Sequence, residues 1–228
     1  MKRILLASAG LLALAGSMGT ASAADLSRPP PYAPPVKAPY YSPVYNWTGF
    51  YAGINGGGDW GSSTWSGLPS TFNVNGGMVG GQIGYNWQFG QFVYGLEGDG
   101  DWANLSGSST FLGCFGTCLT KSDFLATARG RVGVAFDRFL PYVTGGLAVG
   151  NIRTSTAAIT GIDVTNAGWT VGGGVEFAIA GPWTAKVEYL YANLGNTSCD
   201  FLCGFVPGTG NTVSLTENIV RAGINYRF

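Results

Sequence analysis

Residues 92–104 read FVYGLEGDGDWAN, and the two parities of this stretch differ in chemistry. Phe92, Tyr94, Leu96 and Trp102 fall on one parity, with Gly98 and Gly100 between them. Glu97, Asp99 and Asp101 fall on the other. A period of two marks a β-strand, because successive side chains point to opposite faces of a sheet. A soluble sheet would carry several charges per strand on its wet face. This chain is only 11% charged, against roughly 25% in ordinary soluble domains. The acids here share their face with Val and Gly, as a narrow, crowded interior would require.

The same segregation extends outward from this stretch. Eight alternating segments can be drawn, at 47–60, 74–89, 92–104, 123–136, 139–153, 167–179, 183–194 and 215–228. In 123–136, Phe124, Ala126, Ala128, Val132, Val134 and Phe136 oppose Asp123, Thr127, Arg129 and Arg131. In 167–179, Trp169, Val171, Val175, Phe177 and Ile179 oppose Thr170 and Glu176. In 183–194, Trp183, Ala185, Val187, Tyr189 and Tyr191 oppose Lys186 and Glu188. The last segment sets Val220, Ala222, Ile224, Tyr226 and Phe228 against Glu217, Arg221, Asn225 and Arg227. Only Arg153, at the end of its segment, shares the apolar parity. An Arg or Lys facing lipid at mid-depth costs roughly 2–4 kcal/mol, so this sorting is what a membrane demands.

Connection lengths alternate as well. Residues 89–91, 137–138 and 180–182 make tight turns, while 61–73, 105–122, 154–166 and 195–214 read as long loops rich in Ser, Thr, Gly and Asn. Aromatics on the apolar parity gather beside the tight turns (Trp87, Phe89, Phe92, Tyr94, Phe136, Phe139, Phe177, Trp183, Tyr226, Phe228) and again toward the long loops (Trp60, Trp102, Phe124, Trp169, Tyr191). Two such bands are interfacial girdles. The expected fold is all-β: an eight-stranded antiparallel up-and-down transmembrane β-barrel with short periplasmic turns and long extracellular loops.

Ten charged residues then point into the lumen: Glu97, Asp99, Asp101, Arg129, Arg131, Glu176, Lys186, Glu188, Glu217 and Arg221. They read either as an ion-selective constriction or as a salt-bridge network that fills the barrel. An eight-stranded interior is just wide enough to be filled by side chains, which favours the network. A small porin conducting ions or solutes is the alternative, and a secreted ligand-binding barrel is a third reading.

The first residues, MKRILLASAGLLALAGSMGTASA, show a positive start, a short apolar run and the small-residue signal Ala21-Ser22-Ala23. The apolar run is shorter than the about 20 residues a spanning helix needs. Residues 1–23 are expected to be a cleaved signal peptide. Residues 24–46 are expected to be a proline-rich periplasmic segment favouring extended polyproline II, read as a semi-rigid spacer ahead of the alternative, a peptide ligand or wall-contacting arm. The barrel follows at 47–228.

Little in the sequence suggests chemistry. Histidine is absent, and the formal net charge of zero gives no electrostatic footprint for nucleic acid. Gly56, Gly58 and Gly61 spell G-x-G-x-x-G, but inside a strand and with no helix to cradle a phosphate. Cys114, Cys118, Cys199 and Cys203 lie in two predicted loops of an exported chain, where local disulfides, Cys114 with Cys118 and Cys199 with Cys203, fit better than a four-thiolate zinc site, with pairing between the loops as the alternative. No metal site or cofactor is read.

Three stretches carry a family resemblance: WTGFYAGINGG at 47–57, GGQIGYNWQ at 80–88 and RAGINYRF at 221–228. In this order they resemble the small outer-membrane β-barrel surface proteins of Gram-negative bacteria, the porin-family or immunogenic outer-membrane proteins, with OmpA- and OmpX-like barrels. The resemblance implies outer-membrane lipid as the surroundings and host or environmental ligands at the loops. It also implies that the barrel assembly machinery reads Arg221, Gly223, Tyr226 and Phe228 as an insertion signal. Barrel enzymes of this kind rely on a histidine, so no enzymatic activity is expected.

Overall fold

The computed structural model describes residues 45–65, 70–111, 116–156, 162–198 and 212–228. Its strands are β1 (Gly49–Trp65), β2 (Ser70–Phe89), β3 (Phe92–Phe111), β4 (Gly116–Val134), β5 (Phe139–Thr156), β6 (Ile162–Ala180), β7 (Trp183–Ser198) and β8 (Thr212–Arg227). Each pairs antiparallel with its neighbours in chain order, and β1 pairs with β8 to close the ring. Closure removes every sheet edge, which a β-structure in lipid requires because no water is there to satisfy free amides and carbonyls.

The outward face is a continuous apolar belt. Ile54, Ile83, Leu96, Val143, Leu147 and Val187 are all exposed. Aromatics bracket them, with Phe89, Phe92 and Phe136 at the turn end and Trp60, Trp102 and Trp169 at the loop end. Phe92 and Trp102 stand ten positions apart on β3. With a rise of about 3.4 Å per residue and a tilt of about 40°, that spans roughly 26 Å, the height of a membrane band. An apolar surface of this size is tenable only against lipid.

Strands of 16 to 20 residues exceed the about 9–11 that cross hydrocarbon. The excess lies at the loop end, where the strands run on through most of what reads as loop in the sequence. β3 continues to Phe111 and β4 starts at Gly116, well inside 105–122. Cross-strand hydroxyl pairs hold these extensions, with Ser62 Oγ 3.1 Å from Thr216 Oγ1 and Thr64 Oγ1 3.3 Å from Thr71 Oγ1. A tract of Ser, Thr, Asn and Gly looks like loop by composition, yet its alternation never stops. Thr71, Asn73, Asn75, Asn104, Ser106 and Ser108 face outward, while Phe72, Val74 and Leu105 are buried within.

Some placements differ from the sequence reading. The register slips between Lys121 and Leu125, and this β-bulge swaps the faces, so Asp123 leaves the inward set. Its carboxylate instead meets Arg153 on the outer wall at 2.5 Å, both half exposed. Arg153 also donates from Nε to Asp163 at 2.8 Å, which explains the one charge on the apolar parity: it lies beyond the girdle, among acids. In addition, Trp47 and Thr48 precede β1 and run across the turn end. Residues 1–44, with Cys114, Cys199 and Cys203, lie outside the described residues, as does the side chain of Cys118.

Candidate functional site: a lumen filled in three tiers

The ten lumen residues expected from sequence are all buried, and the structure joins nine of them in one network. β4 supplies Arg129, whose Nη2 lies 2.5 Å from Glu97 Oε1 and 2.8 Å from Asp99 Oδ2, and whose Nη1 lies 2.9 Å from Glu188 Oε2. β8 supplies Arg221, at 2.7 Å from Asp101, 3.0 Å from Asp99 and 2.8 Å from Glu188. Lys186 Nζ donates to Glu97 at 2.9 Å. Arg131 donates to Glu176 at 2.9 Å and to Asn86 at 2.9 Å. Buried ions are costly to desolvate, and only such multiply bonded geometry offsets the cost.

Two tyrosines complete this tier, and the sequence reading passed over both. Tyr51 donates to Glu97 at 2.7 Å and Tyr142 to Glu188 at 3.0 Å. Their rings flank the Arg131 guanidinium at 4.8 and 5.1 Å, the stacking that suits arginine better than lysine. Gly84 makes this possible, since a Cβ there would overlap the Tyr51 ring. Gly80 likewise yields its space to Asp101 Oδ1. The signal for the tyrosines was available, because each lies on the inward parity of its strand.

Towards the loop end the interior becomes apolar. Phe72, Val74, Met78, Leu105, Leu125, Ile152, Leu190, Leu194, Val213, Leu215 and Ile219 pack into one buried cluster. Towards the turn end a second cluster centres on Trp47, 1% exposed among Val93, Ala135, Leu140 and Ala178. Trp47 is tied down twice, its amide donating to Gln88 Oε1 at 2.7 Å and its indole Nε1 to the Asp137 carbonyl at 3.1 Å. Asp137 holds the β4–β5 turn with φ 53°, a left-handed value that Asp tolerates better than most. Tyr45 stacks edge-on against Trp47 at 4.8 Å. Arg227, expected inside the lumen, instead lies at the rim, over the Tyr45 ring at 4.3 Å and donating to the Asn46 carbonyl.

The tenth expected residue, Glu217, sits apart from the network. Seven buried carboxylates (Asp59, Glu97, Asp99, Asp101, Glu176, Glu188, Glu217) face four buried cations (Arg129, Arg131, Lys186, Arg221). Of these seven, all described residues, Asp59 and Glu217 are the two with no Arg or Lys within 4.0 Å. Phe228, from the expected assembly signal, is 79% exposed beside Tyr226, ring to ring at 5.3 Å. Gly223 is in β8 opposite Asn55.

Known proteins resemble this chain in sequence and in fold. The 31 kDa outer-membrane immunogenic protein of Brucella melitensis is 36% identical, with 100% of both chains covered. The 22 kDa outer membrane protein of Rhizobium leguminosarum is 35% identical over 80% of this chain and 79% of its own. Among solved structures, Neisserial surface protein A overlaps 79% of this chain and 98% of its own, with a TM-score of 0.46 and 13% identity. Residues 10–228 match the outer membrane protein beta-barrel domain, and the chain belongs to that family, as an integral β-barrel surface protein of the Gram-negative outer membrane.

Proposed function

We propose that the protein is a sealed display barrel: a plugged, non-conducting scaffold that holds its loop-end extensions at the cell surface. The observation that carries this reading is the stacking of the interior. A Trp47 stopper, a salt-bridge tier and an apolar plug follow one another along the same axis, leaving side chains where a pore would need water. The loop-end extensions are polar outside and packed inside, as expected of structure standing in water to meet host or environmental ligands. The relatives' description as immunogenic fits such exposure. Residues 1–23 serve as the export signal, and the last strand is read by the barrel assembly machinery.

Conductance of the pure protein in planar bilayers tests the reading. The wild type is expected to give a silent membrane. Reproducible unitary steps would overturn the sealed lumen in favour of a small porin. Trp47→Ala, which removes the lower stopper but leaves the upper plug, is expected to stay silent too.

A further inference from the structure

Asp59 and Glu217 are not explained by the filling of the lumen. Asp59 lies on β1 and Glu217 on β8, the two strands whose pairing closes the barrel. Asp59 stands opposite Ile219, so Glu217 is its diagonal neighbour across that seam. Both side chains face inward, 3% and 2% exposed. Neither Asp59 carboxylate oxygen has a hydrogen-bond partner among the described residues. Around them the lumen is filled by Val74, Leu215 and Ile219, so apolar side chains would have served at this level had filling been the need. Two uncompensated buried carboxylates are among the costliest arrangements a protein can hold.

We propose that Asp59 and Glu217 together hold a hard divalent cation, of the magnesium or calcium kind, across the β1–β8 seam. The chemistry fits on three counts. Ionised, the pair carries two negative charges, which one divalent ion neutralises. Its donors are carboxylate oxygens, the ligands such ions prefer, with no histidine in the chain to attract a softer metal. Diagonal partners lie about 7–8 Å apart, with their Cβ atoms somewhat closer. Their carboxylates can therefore approach the roughly 3–5 Å oxygen spacing set by two metal–oxygen bonds of about 2.0–2.4 Å. No group of three or more acidic, His or Cys side chains converges on one point among the described residues. Water and backbone carbonyls therefore complete the coordination, as is usual for magnesium bound by one or two carboxylates. Since the two ligands come from the first and last strands, the site forms only when the barrel closes, and the ion pins that closure.

The test is to refold the full chain into detergent micelles with Mg²⁺ or Ca²⁺, each alone. Free ion is then removed by gel filtration, and bound ion per chain is measured. The wild type should retain about one ion per chain, and its thermal transition should fall when it is refolded in EDTA. Asp59→Asn and Glu217→Gln should each lower retained ion about tenfold or more, and their transitions should no longer respond to EDTA. Wild-type protein that folds without retaining ion would overturn the proposal. So would an Asp59→Asn/Glu217→Gln double variant that retains as much ion as the wild type. A wild-type transition that moves with pH but not with EDTA would also overturn it, assigning the pair a shared proton instead. Should the variants fail to fold, wild-type stoichiometry and EDTA response decide alone.

Discussion

Below the upper aromatic girdle the barrel is apolar outside and ionic within; above it the same strands are polar outside and apolar within. β3 shows both halves in one chain segment. Leu96 faces out and Glu97 in on the first half, Ser106 out and Leu105 in on the second. Along β3 the alternation of faces is unchanged across the girdle. What changes is the solvent on the outer wall, and the interior takes whichever chemistry the outer wall does not. A network of charges is enclosed where the surroundings are lipid, and an ordinary hydrophobic core forms where the surroundings are water.

The largest effect should come from breaking the two interiors separately. Arg221→Ala strips the shared cation from Asp99, Asp101 and Glu188, and losing one partner of a buried ion cluster costs about 3–5 kcal/mol. Leu215→Ala opens a void in the apolar plug, where Leu215 is fully buried, at a cost of about 2–4 kcal/mol. Urea unfolding in lipid vesicles measures both. The comparison sharpens if Leu is placed at 221 as well. Filling without charge should not rescue the lower tier, because Asp101 is left without a cation and Asp99 and Glu188 each lose one, whereas Leu215→Met should be nearly silent in the plug.

The outer walls give the next effect. Leu96→Arg puts a charge in the lipid belt and should cost about 2–4 kcal/mol. Ser106→Arg, ten positions further along the same face of β3, should stay within about 0.5 kcal/mol. Equal penalties at the two sites in the same unfolding assay would break the division of the barrel into two solvents.

How far the sequence discloses this arrangement depends on which force sets each feature. The ring of eight, the girdles and the ten inward charges follow from parity alone, because lipid enforces parity at every belt position. Parity weakens where that enforcement ends. Ser, Thr and Asn tracts such as 105–110 hide the strand extensions, since polar-out alternation with small residues looks like loop. Asp123 is misplaced because a bulge shifts the register by one, and no composition marks a bulge. Trp47 lies in an apparent strand yet folds under the barrel, held by Asp137 and Gln88 from distant turns. The Asp59–Glu217 proximity arises only on closure, which unites opposite ends of the barrel sequence.

The smallest stability effect, and the one that separates folding from delivery, belongs to the turn-end rim. Phe228 is mostly exposed, and its contacts are the Tyr226 ring and one backbone bond to the Phe50 carbonyl at 2.9 Å. Deleting it removes about one hydrogen bond, so the refolded barrel should lose only about 1 kcal/mol. If the terminal strand is also the address read during assembly, the same deletion should lower the amount of barrel in the outer membrane several-fold more than that loss allows. Phe228→Ala keeps the backbone bond and should reproduce the delivery defect without the stability change. Normal outer-membrane levels of both variants would leave Phe228 as an ordinary girdle residue. A delivery defect in both, with near-native unfolding in vesicles, would show that the rim is shaped by recognition before insertion rather than by either solvent.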